Sequence, residues 1–211
     1  MEVSGIENTR TSILLVGLSD AGKTALFTQL AHNTFTETVT SMKENEEEIR
    51  TNGSRRLVSL IDVPGFERLR NQFWEKLKFR ALGVVYVIDS VTFMSNLHNV
   101  ADLLYQYLSD DFVISKRIPF LVACTKQDET RAKTAKAIFT QLEKEFNTIR
   151  ETRLGALDTT SGDGEVPKIL GNPNREFSFA DISNNIEFID CSSSPKSSST
   201  EAIIKWIDTT V

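Results

Sequence analysis

Short apolar runs alternate with amphipathic stretches along the chain. Residues 12–17 (SILLVG), 57–62 (LVSLID), 83–89 (GVVYVID), 118–124 and 186–191 are nearly continuous in apolar side chains. Runs of this length between turn residues read as strands buried on both faces. The intervening stretches place apolar residues at helical spacing. Ala25, Leu26, Phe27 and Leu30 fall within 22–31; Leu69, Phe73, Trp74, Leu77 and Phe79 fall within 67–80. Leu97, Val100, Leu103, Leu104, Tyr107 and Leu108 mark a third helix at 96–108. Helices are also predicted at 132–149 and 200–208. Strands that alternate with helices predict an α/β fold with a mostly parallel sheet and helices on both faces. Ligands of such sheets sit beyond the C-terminal ends of the strands.

Two stretches break the alternation. Residues 35–56 are polar and acidic, with Glu44, Glu46, Glu47 and Glu48 close together, and read as a solvated strand edge or loop. Residues 155–175 carry Gly155, Gly162, Gly164, Pro167, Gly171 and Pro173. That content predicts a flexible insertion, at about 150–175, within one domain spanning 1–211.

Composition changes this picture little. The 211 residues are 40% hydrophobic and 25% charged, with a net charge of -5. A broad basic nucleic-acid surface is therefore not expected. Cys124 and Cys191 are too few for a disulfide framework and end apolar runs, so buried free thiols are expected. The longest apolar stretch, 81–88, falls far short of the roughly 18 to 20 residues that span a bilayer. The chain itself is expected to be soluble. No transmembrane segment is therefore expected within residues 1–211.

The chemistry lies at the strand ends. Gly17-Leu18-Ser19-Asp20-Ala21-Gly22-Lys23-Thr24 fits G-x-x-x-x-G-K-[ST], between a strand and a helix. Backbone N–H groups of such a loop, with Ala25 at its end, point at phosphate oxygens. Lys23 reaches the β and γ phosphates, and the Thr24 hydroxyl binds magnesium. The helix N-terminus adds a favourable field for anions. Asp62-Val63-Pro64-Gly65 follows the next strand. Asp62 can hold magnesium through water, and the Gly65 N–H can meet a γ-phosphate. A threonine ahead of the second strand is expected to complete the metal site. Thr40 is the choice, with Thr38 and Ser41 as alternatives.

Thr125-Lys126-Gln127-Asp128 follows the strand at 118–124. The Asp128 carboxylate can accept from both N1–H and the 2-amino group of guanine, a donor pair that adenine lacks. The Lys126 stem can lie over the base and ribose. After the last strand, backbone N–H groups of Cys191, Ser192 and Ser193 can meet guanine O6.

These four elements, in this order, resemble the Ras-like small GTPases. Thr125 stands where the family pattern N-K-x-D has its amide, and Ser192-Ser193-Ser194 stands where S-A-K is usual. The phosphate loop is most similar to the Arf and Sar branch and to the beta subunits of the signal recognition particle receptor. Ser19-Asp20-Ala21, D-V-P-G at 62–65, and the segment Arg175-Glu176-Phe177-Ser178-Phe179 before the strand that ends in Asp190-Cys191-Ser192 favour the receptor subunits. The resemblance implies a Ras-like P-loop GTPase fold with a six-stranded sheet, and GTP and Mg2+ as ligands. It implies a regulatory subunit in protein targeting at the cytosolic face of the endoplasmic reticulum membrane, held there only through an N-terminal anchor that is expected to be absent from these 211 residues. It also implies a GTP-dependent partner, the N-terminal domain of the receptor alpha subunit. No direct nucleic-acid contact is expected. An Arf- or Sar-like trafficking GTPase is the alternative, although Met1-Glu2-Val3-Ser4 offers no acylation signal. A metabolic P-loop kinase is disfavoured by Asp128. Phe66 stands where many Ras-like proteins carry the glutamine that orients water, so slow hydrolysis is expected and no catalytic residue is assigned.

Overall fold

A computed structural model describes residues 10–32, 43–51, 56–159, 168–194 and 197–211. Six strands form one sheet: β1 (Ser12–Val16), β2 (Asn45–Arg50), β3 (Leu57–Asp62), β4 (Ala81–Asp89), β5 (Phe120–Thr125) and β6 (Ile186–Asp190). Their order is β2-β3-β1-β4-β5-β6, and only β2 runs antiparallel to its neighbour. The apolar runs fill the centre: β1 and β5 are buried at every position. β2 (NEEEIR) is the exposed edge strand that the acidic stretch predicts.

Helices cover both faces. Alternation along β1 sends Ile13 and Leu15 to one side, where they meet Leu26 and Phe27 of α1 (Lys23–His32). Ile203, Trp206 and Ile207 of α6 (Glu201–Thr210) complete that layer. Leu14 and Val16 face the other layer. It is built from α2 (Glu67–Leu77), α3 (Leu97–Leu108), α4 (Asp111–Lys116) and α5 (Ala135–Thr159). This is an α/β sandwich with a mostly parallel six-stranded sheet, as expected.

The structure departs from the pattern reading in three places. α4 is too short to show a period; it is started by Asp110, whose carboxylate accepts from the Phe112 and Val113 amides. α5 continues ten residues beyond its predicted end at 149, so the insertion expected at about 150–175 begins as helix. Its far part is also docked. Tyr105 Oη donates to the Lys168 carbonyl and accepts from the Leu170 amide. The Arg150 guanidinium donates to the Arg175 and Asn172 carbonyls. Phe177 and Phe179 then pack against Phe146.

Candidate functional site

The C-terminal ends of β1, β3, β5 and β6 bring the four sequence elements together. The phosphate loop leaves β1 at Gly17, which adopts φ +145°. A side chain there would put its Cβ 2.4 Å from the Val87 carbonyl oxygen on β4, so only glycine lets the loop start this close to the sheet. Asp20 takes a left-handed conformation at φ 61°. Lys23 opens α1 and is buried, with Nζ 2.6 Å from the Leu18 carbonyl of its own loop. Burial holds its pKa down at about 8, against the attraction of Asp62 and Asp20, and Arg70 lowers it further.

Asp62 ends β3 directly beside the loop. Its side chain is fully buried, and Oδ2 accepts from the Thr24 hydroxyl at 2.7 Å and from Asn45 Nδ2 at 3.2 Å. Oδ1 is buried with no hydrogen-bond partner among the described residues. Burial raises the Asp62 pKa, although Thr24, Lys23 and Asn45 oppose it. A buried carboxylate oxygen without a donor, next to a hydroxyl, is a donor set suited to a hard divalent cation. Gly65 lies against the loop: a Cβ there would fall 2.4 Å from Lys23 Nζ and 2.8 Å from the Ser19 nitrogen. Thr40, Thr38 and Ser41 lie outside the described residues.

Thr125, at the end of β5, is buried, and its hydroxyl lies 3.0 Å from the Ala21 carbonyl and 2.9 Å from the Ile88 carbonyl. The hydroxyl thus ties the base loop to the phosphate loop where an amide is usual. Lys126 follows with φ 62°, and its ammonium pairs with Asp89 Oδ2 at 2.8 Å. Asp128 is exposed, and Oδ1 accepts from the Ser192 hydroxyl at 2.6 Å. That hydrogen bond is the main reason its pKa is lowered.

Two of the three amides expected at guanine O6 have partners within the protein. The Cys191 amide donates to the Cys124 carbonyl, and the Ser192 amide donates to Ser199 Oγ. Ser192–Ser194 (β7) instead pairs with Ser197–Ser199 (β8) in a small hairpin, and Ser192 contributes its hydroxyl to Asp128. Three residues escaped sequence reading: Asn45, Asp89 and Gln127. Gln127 Nε2 braces the base loop on Ser90 and Lys133. Asn45 and Asp89 act on site residues that only the fold brings near, and Gln127, inside the base motif, finds its partners only in the folded chain.

Comparisons with known proteins agree with one another. A family model for the signal recognition particle receptor beta subunit matches residues 8–186. The signal recognition particle receptor subunit beta of Rattus norvegicus is 41% identical over 187 residues, which is 88% of this chain and 70% of that protein. The solved structure of the mammalian SRP receptor covers 95% of this chain and all of its own matched chain, at 37% identity and a TM-score of 0.84. An SRb-GTP/SRX complex from Chaetomium thermophilum shares the fold, at 22% identity and a TM-score of 0.73 over 95% of this chain and 98% of that one.

Proposed function

Because the chain belongs to the family of signal recognition particle receptor beta subunits, we propose that it binds GTP with Mg2+ and works as the receptor's regulatory GTPase subunit. In the GTP state it binds the N-terminal domain of the receptor alpha subunit, at the cytosolic face of the endoplasmic reticulum. The observation that carries this reading is the convergence at one sheet end. The phosphate loop, the Thr24–Asp62 pair and the Asp128–Ser192 pair meet there, joined by the Thr125 hydroxyl.

In this reading the loop from Gly17 to Ala25 cradles the phosphates and Lys23 neutralises them. Gly65 lies close enough to the loop to offer its N–H. Thr24 and Asp62 hold Mg2+, which fits the orphaned Asp62 Oδ1. Thr40 is proposed as the further hydroxyl. Thr125 holds the base loop, Lys126 flanks the base, and Asp128 reads guanine. Cys191, Ser192 and Ser193 form the wall behind it, with the Ser192 hydroxyl orienting the Asp128 carboxylate. Phe66, 44% exposed and without a polar side-chain atom, cannot orient water, so intrinsic hydrolysis is slow.

The test is nucleotide binding by the purified chain. We expect GTP and GDP to bind in a Mg2+-dependent manner, ATP not to compete, and single-turnover hydrolysis to be far below GAP-stimulated rates. Competition by ATP equal to that by GTP would reject the base assignment.

A further inference from the structure

The hairpin after β6 is built from serines and lies against the carboxylate proposed to read guanine. β7 pairs antiparallel with β8, with Ser194 opposite Ser197. No apolar cross-strand pair supports this ribbon, and two strands alone are held weakly. Elements of that kind open locally at little cost. The Ser192 hydroxyl donates to Asp128 Oδ1 at 2.6 Å, and the Ser194 amide donates to the same Ser192 oxygen at 3.1 Å. Ser194 is thus two hydrogen bonds from the carboxylate. Its own side chain also bonds to Asp128 and helps to hold that pKa down, after the larger effect of Ser192.

The sequence singles out the same residue independently. The chain has five prolines, and only Pro195 follows a serine or threonine. A residue before proline is held extended, as Ser194 is at the end of β7. Proline itself brings a fixed φ and no N–H donor. An extended serine with proline after it is the form of acceptor that proline-directed protein kinases take.

We propose that Ser194 is a phosphorylation site for a proline-directed kinase, and that the phosphoserine weakens guanine nucleotide binding by setting an anion beside Asp128. This rests on the guanine-binding reading above. In the step, Ser194 Oγ forms a bond to the γ-phosphorus of ATP held by the kinase. The bond from that phosphorus to the β,γ-bridging oxygen breaks, ADP leaves, and the hydroxyl proton passes to the kinase's catalytic carboxylate. A neutral hydroxyl that donates to Asp128 becomes a group of about -1.5 to -2 charge at pH 7. It no longer donates, and it repels the carboxylate that must accept from N1–H and the 2-amino group. Lys126, the cation of the same loop, is already engaged by Asp89 at 2.8 Å. Bound nucleotide, reciprocally, disfavours the modification.

The experiment treats the full chain with ATP-Mg2+ and a purified proline-directed kinase, locates the phosphate by mass spectrometry, and titrates the product with fluorescent GDP and GTP. We expect one phosphate on Ser194 and none at that position in Ser194→Ala. Affinity for both nucleotides is expected to fall by about tenfold or more and to return on phosphatase treatment. Ser194→Asp should weaken binding in the same direction without a kinase, and preloading with GTP should slow the modification. A chain left unmodified at Ser194 overturns the inference, as does a phosphorylated chain with unchanged affinities; both leave the guanine reading standing. An untreated wild-type chain that binds neither nucleotide overturns that reading and the proposed switch with it.

Discussion

Asp62 and Lys23 carry charge where burial opposes it, and their titration has opposite consequences. Lys23 has a folded pKa of about 8 against 10.5 when unperturbed. Between those values the unfolded chain holds more protons, so stability rises with pH across that window, by about 3 kcal/mol at most. Denaturant unfolding of the nucleotide-free protein is expected to show this rise, and Lys23→Met to abolish it. Asp62 has a raised pKa, so its folded form binds protons more readily than its unfolded form. Stability therefore falls as pH rises through its titration. Asp62→Asn is expected to raise the unfolding midpoint of the metal-free protein while removing the Mg2+ dependence of nucleotide binding. A lowered midpoint would contradict the burial argument. At Asp128 the expected change is specificity. Asp128→Asn loses the acceptor for N1–H and the 2-amino group, and sites built on such bonds discriminate by roughly ten-thousand-fold. Competition between guanine and xanthine nucleotides measures it. The loop from Gly17 to Thr24 could be read from sequence because its chemistry is contiguous. Asn45 could not, since it meets Asp62 only across the β2–β3 strand pair.

Among the elements, α5 shows where pattern reading reaches its limit. Glycine and proline content made residues 155–175 look like a free loop, yet segment 168–185 is bound on its polar side as well as its apolar side. Asn147 Oδ1 and Glu143 Oε1 of α5 accept from the Phe177 and Phe179 amides. Asn184 Nδ2 donates to the Val113 and Ile118 carbonyls. Phe179 is the centre of the aromatic group, within 5.1–5.3 Å of Phe139, Phe146, Phe177 and Phe188. Phe179→Ala is expected to cost about 3–5 kcal/mol, the usual range for a buried phenylalanine. Chemical denaturation checks this, and a cost under about 1 kcal/mol would mean that the segment is not integral to the core. The central strands were readable because burial on both faces leaves an apolar run. β7 and β8 were not, because six serines show no hydrophobic period.

At the scale of the whole molecule, every proposed nucleotide contact among the described residues lies at one end of the sheet, and α2 starts there with Phe66 and Arg68 exposed. Aromatic and arginine side chains beside a ligand-dependent segment are the usual composition of an interface hot spot. We expect Phe66→Ala combined with Arg68→Ala to weaken binding of the alpha subunit's N-terminal domain at least tenfold in the GTP state. The loss should be much smaller with GDP, as titration with each nucleotide loaded would show. Equal affinities for the two loaded forms would refute switching altogether. Among the described residues β2 is an edge of the sheet, and an unpaired edge can recruit an identical strand from another molecule. Here the strand reads Asn45-Glu46-Glu47-Glu48-Ile49-Arg50. Glu46 pairs with Arg80, and Glu46, Glu47 and Glu48 are all exposed. Two copies meeting along this margin would bring carboxylates face to face. The acidic composition of β2 thus opposes edge-to-edge association of two copies.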